Sequence, residues 1–566
     1  MKEGLNTFPT FSILNENEDD FLMYIRKNGI AEKFLLFTTK VSSLLYVENV
    51  INNNIQILLL KEFEDTLKNS TTGRKIVSWL VHQNKKDLCF NLLSIQEVYT
   101  ILLNNKNGAC DSLALNFEEK EFYLKLWLYA NERRIKNEKG IIELVSSTSH
   151  DDPLMYEKYA WPLLLPNTDV NEKVNFMFDM LRLKTMVEGI CAESEENAQK
   201  ISAYFKQNNC QGFVGYAFQI IYPVLDYYTQ ITDLVVREGM RTNECTKGLY
   251  ESICINNRKV ESYKDIKTYP LYEKDGIFYI LHWNYFLSQI YIGSFMRFRN
   301  EVLFDNSLKS KMGNIIEQQL LRKILEDSFS RKWCKVRFSQ DPQNPDAMFQ
   351  IGNCLYIIEC KDCLLSESVC ECSDYEIIRD SFIQDFIESN RKGKKGKPKG
   401  ITQLSNYIEK YISNDYNDGE LLNSRKERLS NIPYNPALKI YPIIVFTDYH
   451  HKINGLNHFL NIEFHKIVEK RSSLSDAKVR RRIQPVTTIS IDCLFAYKHK
   501  FADGKRRLSA MINEYHRQIN NSAHMLRKKE INCFIQSYKS FDRVYNSAIM
   551  LSHEEFEDDF RQMFGQ

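Results

Sequence analysis

Glycine and proline are scarce in this 566-residue sequence. There are 21 and 13 of them, about 6 % together, against roughly 12 % in an average soluble chain. Few breakers mean long uninterrupted elements, so more helix than average is expected. Long apolar runs are missing as well. Stretches such as 441–446 (YPIIVF) fall far short of the ~20 residues of a spanning helix. Residues 1–20 are polar and acidic, with no apolar signal core, so no secretory or membrane signal is expected. The chain is also long enough to bury a large core without staples. Its 14 scattered cysteines are therefore expected as reduced thiols in a cytoplasmic protein.

A dominant charge is absent too: 75 Lys and Arg stand against 73 Asp and Glu, a net +2. That total weighs against a nucleic-acid partner only if the charge is evenly spread. It is not. Residues 391–530 hold 28 Lys and Arg against 13 Asp and Glu, which leaves the other 426 residues at −13. The neutral sum conceals a polarised chain, and its basic segment is where a polyanion is expected to touch.

Residues 1–300 read as mainly α-helical, in one or two subdomains. Apolar residues recur at spacings of three and four in 73–103, 117–138, 171–190 and 213–236. The aromatic segment 276–298 is ambiguous between strand and helix. This region names no chemistry and is expected to sense, to gate substrate, or to form an oligomer or hold a partner protein.

The pattern changes near residue 310. A helix over 312–329 is followed by short extended runs at 332–338, 346–352 and 354–362. Then come a Cys-bearing segment, a helix, the basic run 391–400 read as a flexible loop, and a helix over 401–412. The continuous apolar run 438–448 reads as a strand buried on both faces, and 486–495 as a further strand. This order predicts an α/β domain over 310–500, with 501–566 as a C-terminal helical extension.

Within it, Pro345-Asp346 precedes Glu359-Cys360-Lys361. Alternate residues of a strand share a face, so Glu359 and Lys361 point one way and Cys360 the other. A hairpin between the two runs brings Asp346 beside Glu359. Two adjacent carboxylates repel unless a cation lies between them, and hard oxygen ligands suit Mg²⁺ or Mn²⁺. Such an ion polarises phosphate and lowers the pKa of bound water. This constellation resembles the PD-(D/E)xK nuclease superfamily over residues 310–500. Glu317 on the preceding helix stands where many members carry a further metal-contacting glutamate. Glu326 is a competing choice but falls nearer the helix end. Gln403 and Tyr407 match the Gln-x-x-x-Tyr spacing of RecB-like members.

The resemblance implies a restriction-endonuclease-like fold, with a central mixed sheet flanked by helices. It implies an Mg²⁺- or Mn²⁺-dependent hydrolase of DNA phosphodiesters, like nucleases of bacterial defence against foreign DNA. Asp346, Glu359 and Glu317 would hold metal, Lys361 would act on the attacking water, and Gln403 and Tyr407 would orient the strand. RNA as substrate and a nucleic-acid-binding protein that does not cut are the rival readings. Backbone contacts are expected from Arg391, Lys392, Lys394, Lys395, Lys397 and Lys399, and from Lys478, Arg480, Arg481 and Arg482. Cys354, Cys360, Cys363, Cys370 and Cys372 include zinc-like spacings but read better as small core residues. His450, His451, His458 and His465 read as loop and helix-surface histidines rather than metal ligands.

Overall fold

The computed structural model describes the chain apart from residues 1–8, 52–60, 83–89, 106–113, 148–151, 169–175, 232–239, 331–333, 340–343, 415–431, 527–536, 546–557 and 562–566, and scattered gaps of one or two residues. The chain divides into two compact units. One comprises Met1–Leu144 and Asp169–Asp305, the other Val145–Thr168 and Asn306–Gln566. Residues 145–168, which the sequence reading assigned to the N-terminal region, thus belong with the second unit, as do residues 501–566. Among the described residues no helix is long and apolar enough to cross a membrane.

The first unit is mainly helical, with an aromatic core that includes Phe34, Phe37, Phe63, Phe90, Tyr123 and Trp127. The run 73–103 is not one helix: described helices cover Thr71–His82 and Ile95–Asn104. The ambiguous segment 276–298 is both things in turn. Strand Ile277–Ile280 pairs antiparallel with Leu271–Lys274, and a helix begins at Trp283. Asp275 and Gly276 close that hairpin at φ 52° and 75°, the left-handed pair a two-residue turn requires.

The second unit is built on a five-stranded mixed sheet. Its strands are β1 (Arg337–Phe338), β2 (Ala347–Ile351), β3 (Cys354–Lys361), β6 (Lys439–Phe446) and β7 (Thr487–Ser490), in the order β7-β6-β3-β2-β1. The first three form an antiparallel meander, while β6 and β7 run parallel to β3. A separate antiparallel hairpin, β4 (Glu388–Arg391) and β5 (Lys394–Pro398), occupies the basic run expected as a loop. Gly396 permits it: a Cβ there would lie 2.6 Å from the Ser389 carbonyl oxygen.

The principal helices are α1 (Met155–Leu164), α2 (Leu308–Ile315 and Arg322–Phe329 around a π-helical stretch Ile316–Leu321), α3 (Tyr375–Phe386), α4 (Gly400–Ile412), α5 (Leu456–Glu469), α6 (Ile491–Ala502), α7 (Leu508–Leu526) and α8 (Phe541–Tyr545). One sheet face presents Met348, Leu355, Ile357, Ile440 and Ile444 to Trp161 of α1, Phe382 of α3, Leu404 of α4 and Phe459 of α5. On the other face Phe349, Tyr356 and Tyr441 stack in a row, continued by Phe329 of α2 and Phe501 of α6. Burial on both faces explains why β6 reads as unbroken apolar sequence. Pro442, with no N–H to donate, falls in the gap between the Ile440–Ile483 bridge and the ladder starting at Ile443–Thr487. The run 486–495 is strand only to Ser490. There the Ser490 side chain accepts from Cys493 N–H and caps α6, with Asp492 in its first turn.

Candidate active site

The register of β2 on β3 pairs Ala347 with Ile358, which sets Asp346 opposite Glu359. Strand alternation then puts Asp346, Glu359 and Lys361 on the sheet face covered by α3 and α4. Asp346 Oδ2 accepts the Cys360 backbone N–H at 2.6 Å, which fixes the carboxylate at the strand end. Lys361 Nζ donates to Glu359 Oε1 at 2.5 Å. The same ammonium donates to Gln403 Oε1 of α4 at 2.9 Å. Gln403 in turn donates to the Tyr407 hydroxyl at 3.4 Å, one helical turn on.

Glu317 joins this group from the π-helical stretch of α2 and shares a hydrogen bond with Asp346. Such stretches recur at functional sites, because the wider turn re-aims a side chain. Glu326 takes no part in the cluster; it bears on Arg322 instead. Asp346, Glu359, Glu317, Lys361, Gln403 and Tyr407, anticipated from sequence, therefore meet in one place.

The electrostatics are those of crowded acids. Glu359 is 2 % exposed, and the Tyr407 hydroxyl bears on it from α4. Burial first, then the facing Asp346, pushes its carboxyl up to about 8. Burial and Glu317 likewise push Asp346 up to about 8, and burial raises Glu317. Burial works against the Lys361 charge, but Glu359 and Asp346 outweigh it and hold the ammonium above its ordinary value. Burial and the same two carboxylates raise the Tyr407 phenol. The group thus holds more acid than one lysine can neutralise, and its three carboxylates could hold a cation.

The basic residues fare unevenly. Lys392 lies outside the described residues, and of Arg391, Lys394 and Lys395 only the backbone is described. Lys397 is exposed on β5, and Lys399 precedes α4 and bears on Asp385. Lys478 and Arg481 are exposed, and so is Arg480, which pairs with Glu469 at 3.4 Å. Arg482 is differently employed. Its guanidinium donates to the Leu438 and Asn435 carbonyls and to the Tyr434 hydroxyl at 2.8–3.1 Å, pinning the chain that leads into β6. That is a structural role in the fold.

Of the histidines expected on loops and helix surfaces, His465 is exposed on α5 as expected, His458 is half-buried, and the other two are interior. His450 and His451 are buried, and His458 donates from or accepts at Nδ1 with the buried Glu157 Oε1 at 2.6 Å. Cys360 is buried, as the alternation required, and no disulfide joins any described cysteine. A second cluster that the sequence reading missed brings Cys363, Asp385 and His451 together. Its members are far apart in sequence, and only Cys363 carried a spacing cue.

Comparison with protein-family models, with curated proteins and with solved structures finds no match for this chain.

Proposed function

We propose that the chain is a metal-dependent phosphodiesterase acting on nucleic acid, DNA in the first instance, with a restriction-endonuclease-like domain of the PD-(D/E)xK type. The observation that carries this reading is the convergence of Glu317, Asp346 and Glu359 on one half-buried lysine at the end of a mixed sheet. The element order supports it: helix, antiparallel meander, helix, parallel strand is the order the resemblance implies. The surplus charge supports it too, because residues 391–530 carry 28 cationic against 13 acidic side chains. A role in defence against foreign DNA rests on the resemblance alone.

The residues fit a hard divalent ion. All three donors are carboxylates, and two of them, Asp346 and Glu359, face each other across β2 and β3. Asp346, Glu359 and Glu317 would hold Mg²⁺ or Mn²⁺, which when bound polarises phosphate and acidifies water. The other side chains prepare the place. Lys361 stays cationic and presents its charge where negative charge builds on the phosphoryl group. Glu359 and Gln403 take two of its three N–H donors and so aim the third. Gln403 lines the approach from α4, where a strand backbone can be held, and the buried Tyr407 hydroxyl supports it from behind. The exposed Lys397 and the half-buried Lys399 offer salt-dependent contacts beside it.

The test uses supercoiled plasmid, linear duplex, single-stranded DNA and RNA, each with Mg²⁺, Mn²⁺ or EDTA. Cutting that needs the metal and falls at least about a hundredfold in Lys361→Ala and Glu359→Ala is the expected result. Undiminished cutting by Lys361→Ala sinks the assignment. Tight, salt-sensitive binding with no cutting by the wild type leaves the non-cleaving reading in its place.

A further inference from the structure

Three side chains meet just beyond the carboxylate group, from three separate elements. Cys363 lies two residues past Lys361, Asp385 in the last turn of α3, and His451 in the turn after β6. One donor atom of each lies within 4.8 Å of the other two, and His451 Nε2 stands 3.9 Å from Asp385 Oδ2. That separation is too long for a hydrogen bond. It is close to the roughly 3.3–3.8 Å that separates two ligands of a tetrahedral zinc ion.

His451 is the independent observation. Its side chain is fully buried, and neither ring nitrogen has a hydrogen-bond partner. Phe386 packs edge-on against the ring at 4.9 Å, with Phe446 and Phe382 at 5.7 and 5.9 Å, so the imidazole is held rigidly. An imidazole buried with no partner is costly, so a partner outside the chain is called for. Burial keeps the ring neutral, with its pKa lowered to about 4, and a neutral imidazole nitrogen is a metal ligand. Asp448 is occupied elsewhere: it accepts from the Leu365 and His450 backbone N–H groups and pairs with the His450 ring.

We propose that Cys363, Asp385 and His451 bind a zinc-class ion through Sγ, a carboxylate oxygen and an imidazole nitrogen. A thiolate and an imidazole select Zn²⁺ over Mg²⁺, so this site is chemically distinct from the carboxylate group and stands without it. Three protein ligands leave the fourth position to water. Binding replaces the Cys363 S–H bond by an S–metal bond and releases that proton to solvent, while His451 enters as the neutral ring. The ion ties the exit of β3 to the end of α3, from which the basic hairpin β4–β5 departs.

The test is metal binding by the full chain, freed of metal by a chelator and then loaded with Co²⁺ or Zn²⁺. The expected result is a thiolate-to-cobalt charge-transfer band that Cys363→Ser abolishes, that His451→Gln and Asp385→Asn weaken, and that Glu359→Ala retains. On the wild-type chain, Zn²⁺ should slow alkylation of Cys363, read by peptide mass, by about tenfold or more and leave Cys372 unchanged. That measurement needs no variant to fold. A folded wild type without the band, a band that survives Cys363→Ser, or alkylation of Cys363 indifferent to Zn²⁺ overturns the assignment.

Discussion

The Lys361 ammonium and the Gln403 side-chain carbonyl are joined at 2.9 Å, and the same oxygen accepts the Gly400 backbone N–H at 2.9 Å. The first turn of α4 therefore orients the lysine of β3 through one atom. Gln403→Leu removes that acceptor and leaves the lysine tethered to Glu359 alone. Single-turnover cleavage by Gln403→Leu should fall about 10- to 100-fold, with the Mg²⁺ half-saturation little changed, as for a group that positions a catalytic one. Gln403→Glu keeps an acceptor and should retain more of the rate. An unchanged rate in Gln403→Leu would remove α4 from the mechanism.

The crowded carboxylates make the metal-free fold sensitive to pH. Asp346 and Glu359 hold their protons to about pH 8 in the folded chain, well above the ordinary carboxylate range. The unfolded chain releases the same protons near pH 4. Between those values the folded state binds more protons, so stability is complete below pH 4 and falls as pH rises towards 8. The slope cannot exceed about 1.4 kcal/mol per pH unit per group. In EDTA, melting temperature should drop from pH 5 to 8 and then level off. Saturating Mg²⁺ should flatten the profile, and Glu359→Gln should remove part of the slope. A Glu359→Gln profile identical to the wild type would contradict the burial of this carboxyl as the cause.

The carboxylate–lysine grouping was legible because its parts are local. Strand alternation fixes the shared face of Glu359 and Lys361, and helical spacing fixes that of Gln403 and Tyr407. What escaped was set by tertiary neighbours. The basic run reads as a loop from its lysines, yet Gly396 lets it close as a hairpin against Glu388 and Ser389. Arg482 reads as a polyanion contact, but the chain before β6 engages its guanidinium. His451 reads as a loop histidine. Its burial follows from Phe382, Phe386 and Phe446, residues no nearby spacing connects to it. The placement of Glu317 over Glu326 rests on a π-helical stretch that apolar periodicity does not announce.

Gly400 is a position where backbone geometry and site chemistry coincide. Its φ is +42°, and a Cβ there would lie 2.4 Å from the Phe386 carbonyl oxygen. Gly400→Ala therefore combines left-handed strain with a collision against backbone, which has little room to yield. It should cost about 2 kcal/mol or more, read as a lower urea midpoint at constant m-value. Because Gly400 N–H also holds the Gln403 oxygen, the folded fraction should cut more slowly than its population accounts for. Full specific activity in the folded fraction would show that α4 keeps its place without this glycine.

Trp161 tests whether residues 145–168 are an integral part of the second unit. The side chain is fully buried, its indole N–H donates to the Asn454 carbonyl at 3.0 Å, and its ring lies 4.8 Å from Phe382 and 5.4 Å from Phe459. It packs in the core between the sheet and helices α3 and α5. Close by in sequence, the buried Glu157 pairs with His458 of α5 at 2.6 Å, so removing the segment also leaves a polar group unsatisfied. Trp161→Ala should cost about 3–5 kcal/mol. A fragment of residues 306–566 alone should fail to melt cooperatively, and the same fragment joined by a flexible linker to residues 145–168 should regain a cooperative transition. If the bare fragment melts cooperatively near the temperature of the intact chain, the aromatic layer around Trp161 is not what holds this unit together.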